Sequence, residues 1–190
     1  MDGKSVLENY EKNGALLKGH FLLSSGLHSD AYLQSELVMQ NPENAREVIS
    51  GLKDKLKDLD FTTIVSPAIG GIRFGYLLSD ILGKRSLFTE RVDGVMTFRR
   101  GFSLSKGEKV IVAEDVVTTG KSTKECMKAI EDAGGVVVGV ATIIDRSSGK
   151  AGFNVPFFPL AEIEVNSFEA SDCPMCKAGT KAIKPGSRNI

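Results

Sequence analysis

The run Val136–Ile144 is almost unbroken in apolar residues, interrupted only by Gly139 and Thr142. A run of this kind reads as a strand covered on both faces, as the inner strands of a parallel sheet are. Two shorter runs have the same character: the β-branched Thr62–Ser66 and the apolar Val110–Ala113. Helical patterns stand between them. Asn41-Pro42 provides a cap and a first-turn proline, and Ala45, Val48, Ile49, Leu52 and Leu56 follow at helical spacing. A second helix is marked by Ile72, Leu77, Leu78, Ile81 and Leu82, closed by Gly83, with a strand expected from Ser86. A third is marked by Cys126, Met127, Ile130 and Ala133 and stops at Gly134-Gly135. Alternation of this kind from residue 42 to 145 predicts an α/β fold: a mostly parallel sheet with right-handed crossovers and helices on its faces. Ligands of such sheets bind beyond the carboxyl ends of the strands. The loops at 66–71, 114–122 and 145–146 all follow strands, so they are predicted to share one edge.

Flanking segments are less regular. Ser5–Asn13 is expected to be a helix with a Ser5/Glu8 capping box, ended by Gly14. Phe21–Leu23 and Tyr32–Met39 read as strands around a Ser24-Ser25-Gly26 turn. His20 and His28 read as surface or turn histidines, since their separation is not a metal-ligand spacing. Thr89–Gly107 lacks a core pattern, and a long polar segment inside a domain is usually functional or mobile. Cys173-Pro-Met-Cys176 raises zinc, but only Cys126 and two distant histidines remain as further ligands, so it reads as a reduced turn. Lys177–Arg188 is a basic, Gly/Pro-punctuated end.

Composition narrows the partners. The 190 residues fit one domain, 42% of them hydrophobic and 25% charged. Lysine plus arginine and aspartate plus glutamate both number 24, so no global basic field points to nucleic acid. No apolar run approaches the ~20 residues that span a bilayer. The start, Met1-Asp-Gly-Lys, lacks a signal-peptide pattern, which makes a cytoplasmic place the expectation. Three cysteines without an export signal do not make a disulfide framework.

The chemistry concentrates in Val110–Ser122. Glu114 and Asp115 stand where the strand should end. Thr118-Thr119-Gly120-Lys121-Ser122 then offers backbone N–H groups, hydroxyls and an ammonium ahead of a helix, with Ser122 and Glu125 as its expected capping box. Those groups suit a phosphate monoester. Gly120-Lys121-Ser122 also matches the end of a nucleotide P-loop, but the first glycine of that pattern would be residue 115, which is Asp115. A carboxylate there rejects polyphosphate. Paired carboxylates accept hydrogen bonds from vicinal hydroxyls, as a ribose diol supplies. The stretch therefore reads as a ribose-phosphate site.

This stretch, Glu114-Asp115-Val116-Val117-Thr118-Thr119-Gly120-Lys121-Ser122 after apolar residues, resembles the phosphoribosyl diphosphate signature of type I phosphoribosyltransferases. The resemblance implies their fold, with a small hood from residues 1–40, a core of 41–165 and a tail of 166–190. It also implies phosphoribosyl transfer to a nitrogen base. Mg2+ is then expected mainly through the sugar diphosphate rather than through a protein metal site. Gly19–Gln34 and Asp145-Arg146 are similar to segments of orotate phosphoribosyltransferases, as is Pro67-Ala68-Ile69-Gly70-Gly71, which resembles their diphosphate loop. In that family Arg146 would meet orotate, whose carboxylate suits a guanidinium fork, and Thr118 and Ser24 would also reach the base. The chain departs from the family in lacking a lysine in 24–26 and near Gly70. Residues 89–101 occupy the place of a lysine- and histidine-rich closing loop. Arg91 is its best-matching cation and joins Glu114 and Asp115 as a catalytic candidate, with Arg99 and Arg100 as substitutes. A homodimer with shared sites and a step in pyrimidine synthesis are implied with the rest. Two alternatives stay open: transfer to another base, and a regulator that binds the sugar diphosphate without catalysis.

Overall fold

The computed structural model describes residues 1–23 and 26–184. Ser24, an expected base contact, lies outside the described residues. The chain opens with α1 (Gly3–Lys12), β1 (Leu16–Leu22), β2 (His28–Leu33) and the short α2 (Glu36–Met39). It continues through α3 (Pro42–Ile49), α4 (Leu52–Leu56), β3 (Thr63–Pro67), α5 (Gly70–Leu82), β4 (Arg85–Val92) and β5 (Val95–Phe98). Then come β6 (Lys109–Val117), α6 (Lys121–Asp132), β7 (Val136–Asp145), β8 (Phe157–Glu162), β9 (Ser167–Phe168) and α7 (Pro174–Lys177).

The large sheet has the order β5-β4-β3-β6-β7-β8. β4, β3, β6, β7 and β8 run parallel, and only β5 is antiparallel, paired to β4. Its inner strands are the apolar runs read from the sequence. β3 is buried throughout, and β7 is buried from Val140 to Asp145. One face carries α5 with α1, α3 and α4 around Phe74, Leu78, Ile49 and Leu52. The other face carries α6, with Cys126, Met127 and Ile130 against Val65, Val112 and Val140. The chain runs outward from β3 to β4, then returns to place β6 on the other side of β3. The crevice at such a reversal is where open α/β sheets bind ligands.

Hydrogen bonding moves several boundaries. Asp2, rather than Ser5, caps α1, and it accepts from the Ser5 N–H at 2.8 Å. The expected strand through Tyr32–Met39 stops at Leu33, and Glu36–Met39 is helical. The segment 89–101 is not a free loop. Thr89 to Val92 pair with Val95 to Phe98 in a hairpin. Its turn is Asp93-Gly94, both with positive φ (50° and 83°), the two-residue geometry that matches strand twist.

β1, β2 and β9 make a second, antiparallel sheet. The tail returns to it: the Leu22 N–H donates to the Ile183 carbonyl and the Ile183 N–H to the His20 carbonyl, both at 2.8 Å. His20 is 8% exposed, which corrects its reading as a surface histidine.

The switch point demands close backbone approach. A Cβ on Gly71 would lie 2.9 Å from the Ala113 carbonyl oxygen, 3.2 Å from Ser66 Cβ and 3.3 Å from Pro67 Cδ. None of these atoms is the end of a flexible side chain, so Gly71→Ala forces α5 away from β6. Overpacking costs about 1–3 kcal/mol. Thermal unfolding of Gly71→Ala should therefore show a Tm lower by roughly 2–4 °C per kcal/mol. An unchanged Tm would show that α5 does not pack this tightly on β6.

Candidate active site

Three loops meet at the carboxyl edge of the sheet, as their positions after β3, β6 and β7 require. β6 delivers Glu114 and Asp115. Glu114 is 9% exposed, while Asp115 is partly exposed and lies under the loop after β3. A Cβ on Gly70 would stand 2.9 Å from Asp115 Oδ1, so the Ala68-Ile69-Gly70-Gly71 backbone lies against that carboxylate. The Ala68–Ile69 peptide is cis. The expected diphosphate loop and the acidic pair are thus brought together.

Burial, with Asp115 as the second cause, holds the Glu114 carboxyl well above the usual carboxylate range. Two adjacent carboxyls in a poorly hydrated strand end do not both ionise readily. Burial therefore favours the protonated form of Glu114 more than in a solvated carboxyl.

Past β6 the chain turns through Gly120, whose φ of 72° is left-handed, and α6 begins at Lys121. No side chain caps this helix, so the expected Ser122/Glu125 capping box is not formed. The left-handed turn of Gly120 replaces it, and Glu125 pairs with Arg91 instead. The lack of a cap has a chemical use. The first N–H groups of a 12-residue helix face the loop with their partial positive charge. Thr119 Oγ1 makes one long contact, accepting from the Lys121 N–H at 3.3 Å. Glu114, Val116, Val117 and Thr118–Thr123 enclose a hollow of about 70 Å3 there, roughly twice the ~30 Å3 share of one water. That is room for a single phosphate group.

β7 delivers Asp145 and Arg146. Asp145 Oδ1 accepts from the Ser147 N–H at 2.7 Å and closes the turn. The Arg146 N–H donates to the Val117 carbonyl at 2.8 Å, which fixes Arg146 beside the end of β6. A groove of about 700 Å3 opens above it, lined by Thr118, Thr119, Arg146, Lys150, Leu27 and Tyr32, among others. That volume falls in the range of ~300–1,000 Å3 typical of small-ligand sites. Arg146 Nε is buried without a hydrogen-bond partner among the described residues. Burial lowers the pKa of the guanidinium, with Asp30 and Tyr32 opposing it. A buried, unpaired N–H of a cation is costly, and a planar anion would satisfy it.

Tyr32, Leu27 and Lys150 went unread as groove residues in the sequence, because the hood sheet brings the first two over the edge and Lys150 follows a turn that periodicity does not show. Arg91 stands apart from the expectation. It lies in β4, forms an ion pair with Glu125 of α6 and donates to the Gly94 carbonyl at 3.1 Å. Arg100 pairs with Glu90 through two contacts of 2.8 and 2.9 Å. Neither arginine is a free loop cation.

Fold and site together define a phosphoribosyltransferase, and residues 34–169 match the phosphoribosyl transferase domain model. The chain is 47% identical over 190 residues to an orotate phosphoribosyltransferase of Caldanaerobacter subterraneus subsp. tengcongensis, with full coverage of both chains. It is 49% identical over 195 residues to one of Acidithiobacillus ferrooxidans, again with full coverage of both. The solved orotate phosphoribosyltransferase of Aeropyrum pernix superposes with a TM-score of 0.70 at 24% identity, over 83% of this chain and 93% of that one, and so shares the fold. The chain belongs to the orotate phosphoribosyltransferase family.

The buried Glu114 makes stability depend on pH. The unfolded chain releases this proton near pH 4.3, whereas the folded chain keeps it to higher pH. Stability from this group is complete below the unfolded pKa and falls as pH rises toward the folded one. Glu114→Gln removes that loss. Its Tm should equal that of the wild type near pH 4 and exceed it increasingly toward pH 8. Parallel Tm profiles across that range would contradict the buried-proton reading.

Proposed function

We propose that this chain transfers the phosphoribosyl group of 5-phosphoribosyl 1-diphosphate to orotate, giving orotidine 5′-phosphate and diphosphate in pyrimidine synthesis. The observation that carries the choice of base is Arg146, a guanidinium that lines the large groove and whose Nε has no hydrogen-bond partner among the described residues. A guanidinium fork there fits the carboxylate of orotate, and an uncharged base offers no equivalent partner.

The phosphate hollow at the start of α6 binds the 5-phosphate through the Thr119–Ser122 N–H groups, with Lys121 beside it. Glu114 and Asp115 hold the ribose diol. Thr118 joins the phosphate hollow to the groove, so it reaches both the sugar phosphate and the base. The Ala68–Gly71 backbone, at the N-terminus of α5 and in contact with Asp115, receives the diphosphate. The base nitrogen attacks the anomeric carbon, the bond to diphosphate breaks, and positive charge develops on the ribose ring. These side chains act by positioning and by charge. Asp115 lies next to the developing cation.

The donor set suits Mg2+: one partly exposed carboxylate faces a loop that would hold a diphosphate, and magnesium prefers one or two carboxylates plus substrate phosphates. When bound, Mg2+ supplies charge neutralisation on the departing diphosphate. Arg91, paired with Glu125 in this arrangement, would reach the diphosphate by giving up that partly exposed ion pair, which contributes little. We place the enzyme in the cytoplasm as a homodimer; no helix among the described residues is long and apolar enough to cross a membrane. The exposed Ile69, which precedes α5, and Tyr76, at its middle, would be covered by a second subunit.

A spectrophotometric assay with orotate, the sugar diphosphate and Mg2+ should show orotate loss. Turnover of adenine, hypoxanthine or uracil in its place would overturn the substrate assignment. Arg146→Ala should raise the orotate KM by at least about tenfold, since a charge-assisted pair contributes about 1.5–3 kcal/mol. The KM for the sugar diphosphate should stay within about twofold. An equal rise in both would remove Arg146 from the base.

A further inference from the structure

Two histidines and two cysteines that the transfer reaction does not use come together on the hood. His20 lies in β1 and His28 opens β2. Cys173 is the N-cap of α7 and Cys176 lies within it, and the returning tail brings both against those strands. His20 Nε2 lies 2.7 Å from His28 Nδ1, 3.5 Å from Cys173 Sγ and 3.8 Å from Cys176 Sγ. Cys176 Sγ lies 3.3 Å from His28 Nδ1. The four ligand atoms all stand within 4.8 Å of one another. A tetrahedral zinc ion with Zn–N near 2.0–2.1 Å and Zn–S near 2.3 Å has ligand–ligand edges of roughly 3.3–3.8 Å. Most of the observed separations are already of that size.

Hydrogen-bond accounting points the same way. Thr180 Oγ1 donates its proton to the Met175 carbonyl at 2.9 Å. It must therefore accept from His20 Nδ1, 2.9 Å away, which places the ring proton on Nδ1 and the lone pair on Nε2. One in-plane lone pair then faces His28 Nδ1, Cys173 Sγ and Cys176 Sγ. It can accept one good hydrogen bond, not three. A cation at the centre satisfies all four groups at once, and Thr180 then acts as a positioning residue that fixes the tautomer of a metal-bound histidine. The β1 ladder slips between Lys18 and Phe21, so His20 and Phe21 are buried consecutively and His20 turns toward the tail. Such irregularities re-aim side chains.

We propose that His20, His28, Cys173 and Cys176 bind one structural zinc ion. Two thiols give up their protons to solvent as Zn2+ binds, and the four side chains complete the tetrahedron. No position is left for water or substrate, so the site is structural rather than catalytic. A two-iron cluster with the same residue types would keep its histidines and cysteines on different irons. Here His20 Nε2 lies within 3.8 Å of both sulfurs, which fits one ion. The ion joins the tail to the β1–β2 pair, next to Leu23 and Leu27, which line the groove.

The test uses the full chain purified without chelators. Elemental analysis should find about one zinc per chain, and removing it with a strong chelator should lower Tm by about 5 °C or more. Cobalt added to the metal-free chain should give the visible absorption of tetrahedral cobalt together with thiolate charge transfer. Cys176→Ala and His20→Ala should lose the metal, whereas Cys126→Ala, in the core, should keep it. The cobalt spectrum of the unmodified chain decides the matter even if a variant fails to fold. A chain that carries no zinc and shows no tetrahedral cobalt spectrum overturns the proposal. So does a Cys173–Cys176 disulfide in protein kept under reductant, or a metal that survives both ligand variants.

Discussion

The pairing of β6 on both of its edges is the constraint on which the site depends. Thr63, Ile64 and Val65 of β3 hold it from one side, and β7 holds it from Lys109 to Val117 on the other. That register puts Val117 opposite Asp145. It therefore decides that the acidic pair, the phosphate hollow and Arg146 end on the same line. A slip of one residue would exchange the faces that Glu114 and Asp115 present.

Charge organises what the register positions. Helices α5 and α6 both begin at this edge, and their N-termini carry partial positive charge without side-chain caps. Two carboxyls sit between them, and burial raises the pKa of one of them, Glu114. Arg146 stands across the groove with a buried N–H that the described residues leave unmatched. A ligand with a phosphate at one end and a carboxylate at the other, joined by a hydroxylated ring, satisfies all of these groups together. Each group alone fits many molecules; their order along the edge selects a nucleotide of an acidic base.

The core, and the place of the 114–122 loop at the strand-end edge, were legible in the sequence because both rest on local signals. The apolar runs at 62–66, 110–113 and 136–144 are buried strands, and Asn41 caps α3 through Glu43 and Asn44 N–H groups as its position predicts. Signals that compete locally were misread. Ser122 and Glu125 have capping-box spacing, yet the left-handed Gly120 starts the helix and Arg91 takes Glu125. Asp93-Gly94 carries a strong hairpin signal inside a segment whose polarity suggested a loop. The histidine–cysteine cluster could not be seen by spacing, because His20 and Cys173 are 153 residues apart and only the pairing of the hood strands and the tail unites them.

The central claim is that one edge of the sheet reads the product from phosphate to carboxylate. A crystal structure with orotidine 5′-phosphate measures this most directly. The account predicts the phosphate on the Thr119–Ser122 N–H groups, the diol on Glu114 and Asp115, and the base carboxylate in a fork with Arg146. A base carboxylate bound away from Arg146, or a phosphate seated outside the hollow at the start of α6, would contradict it.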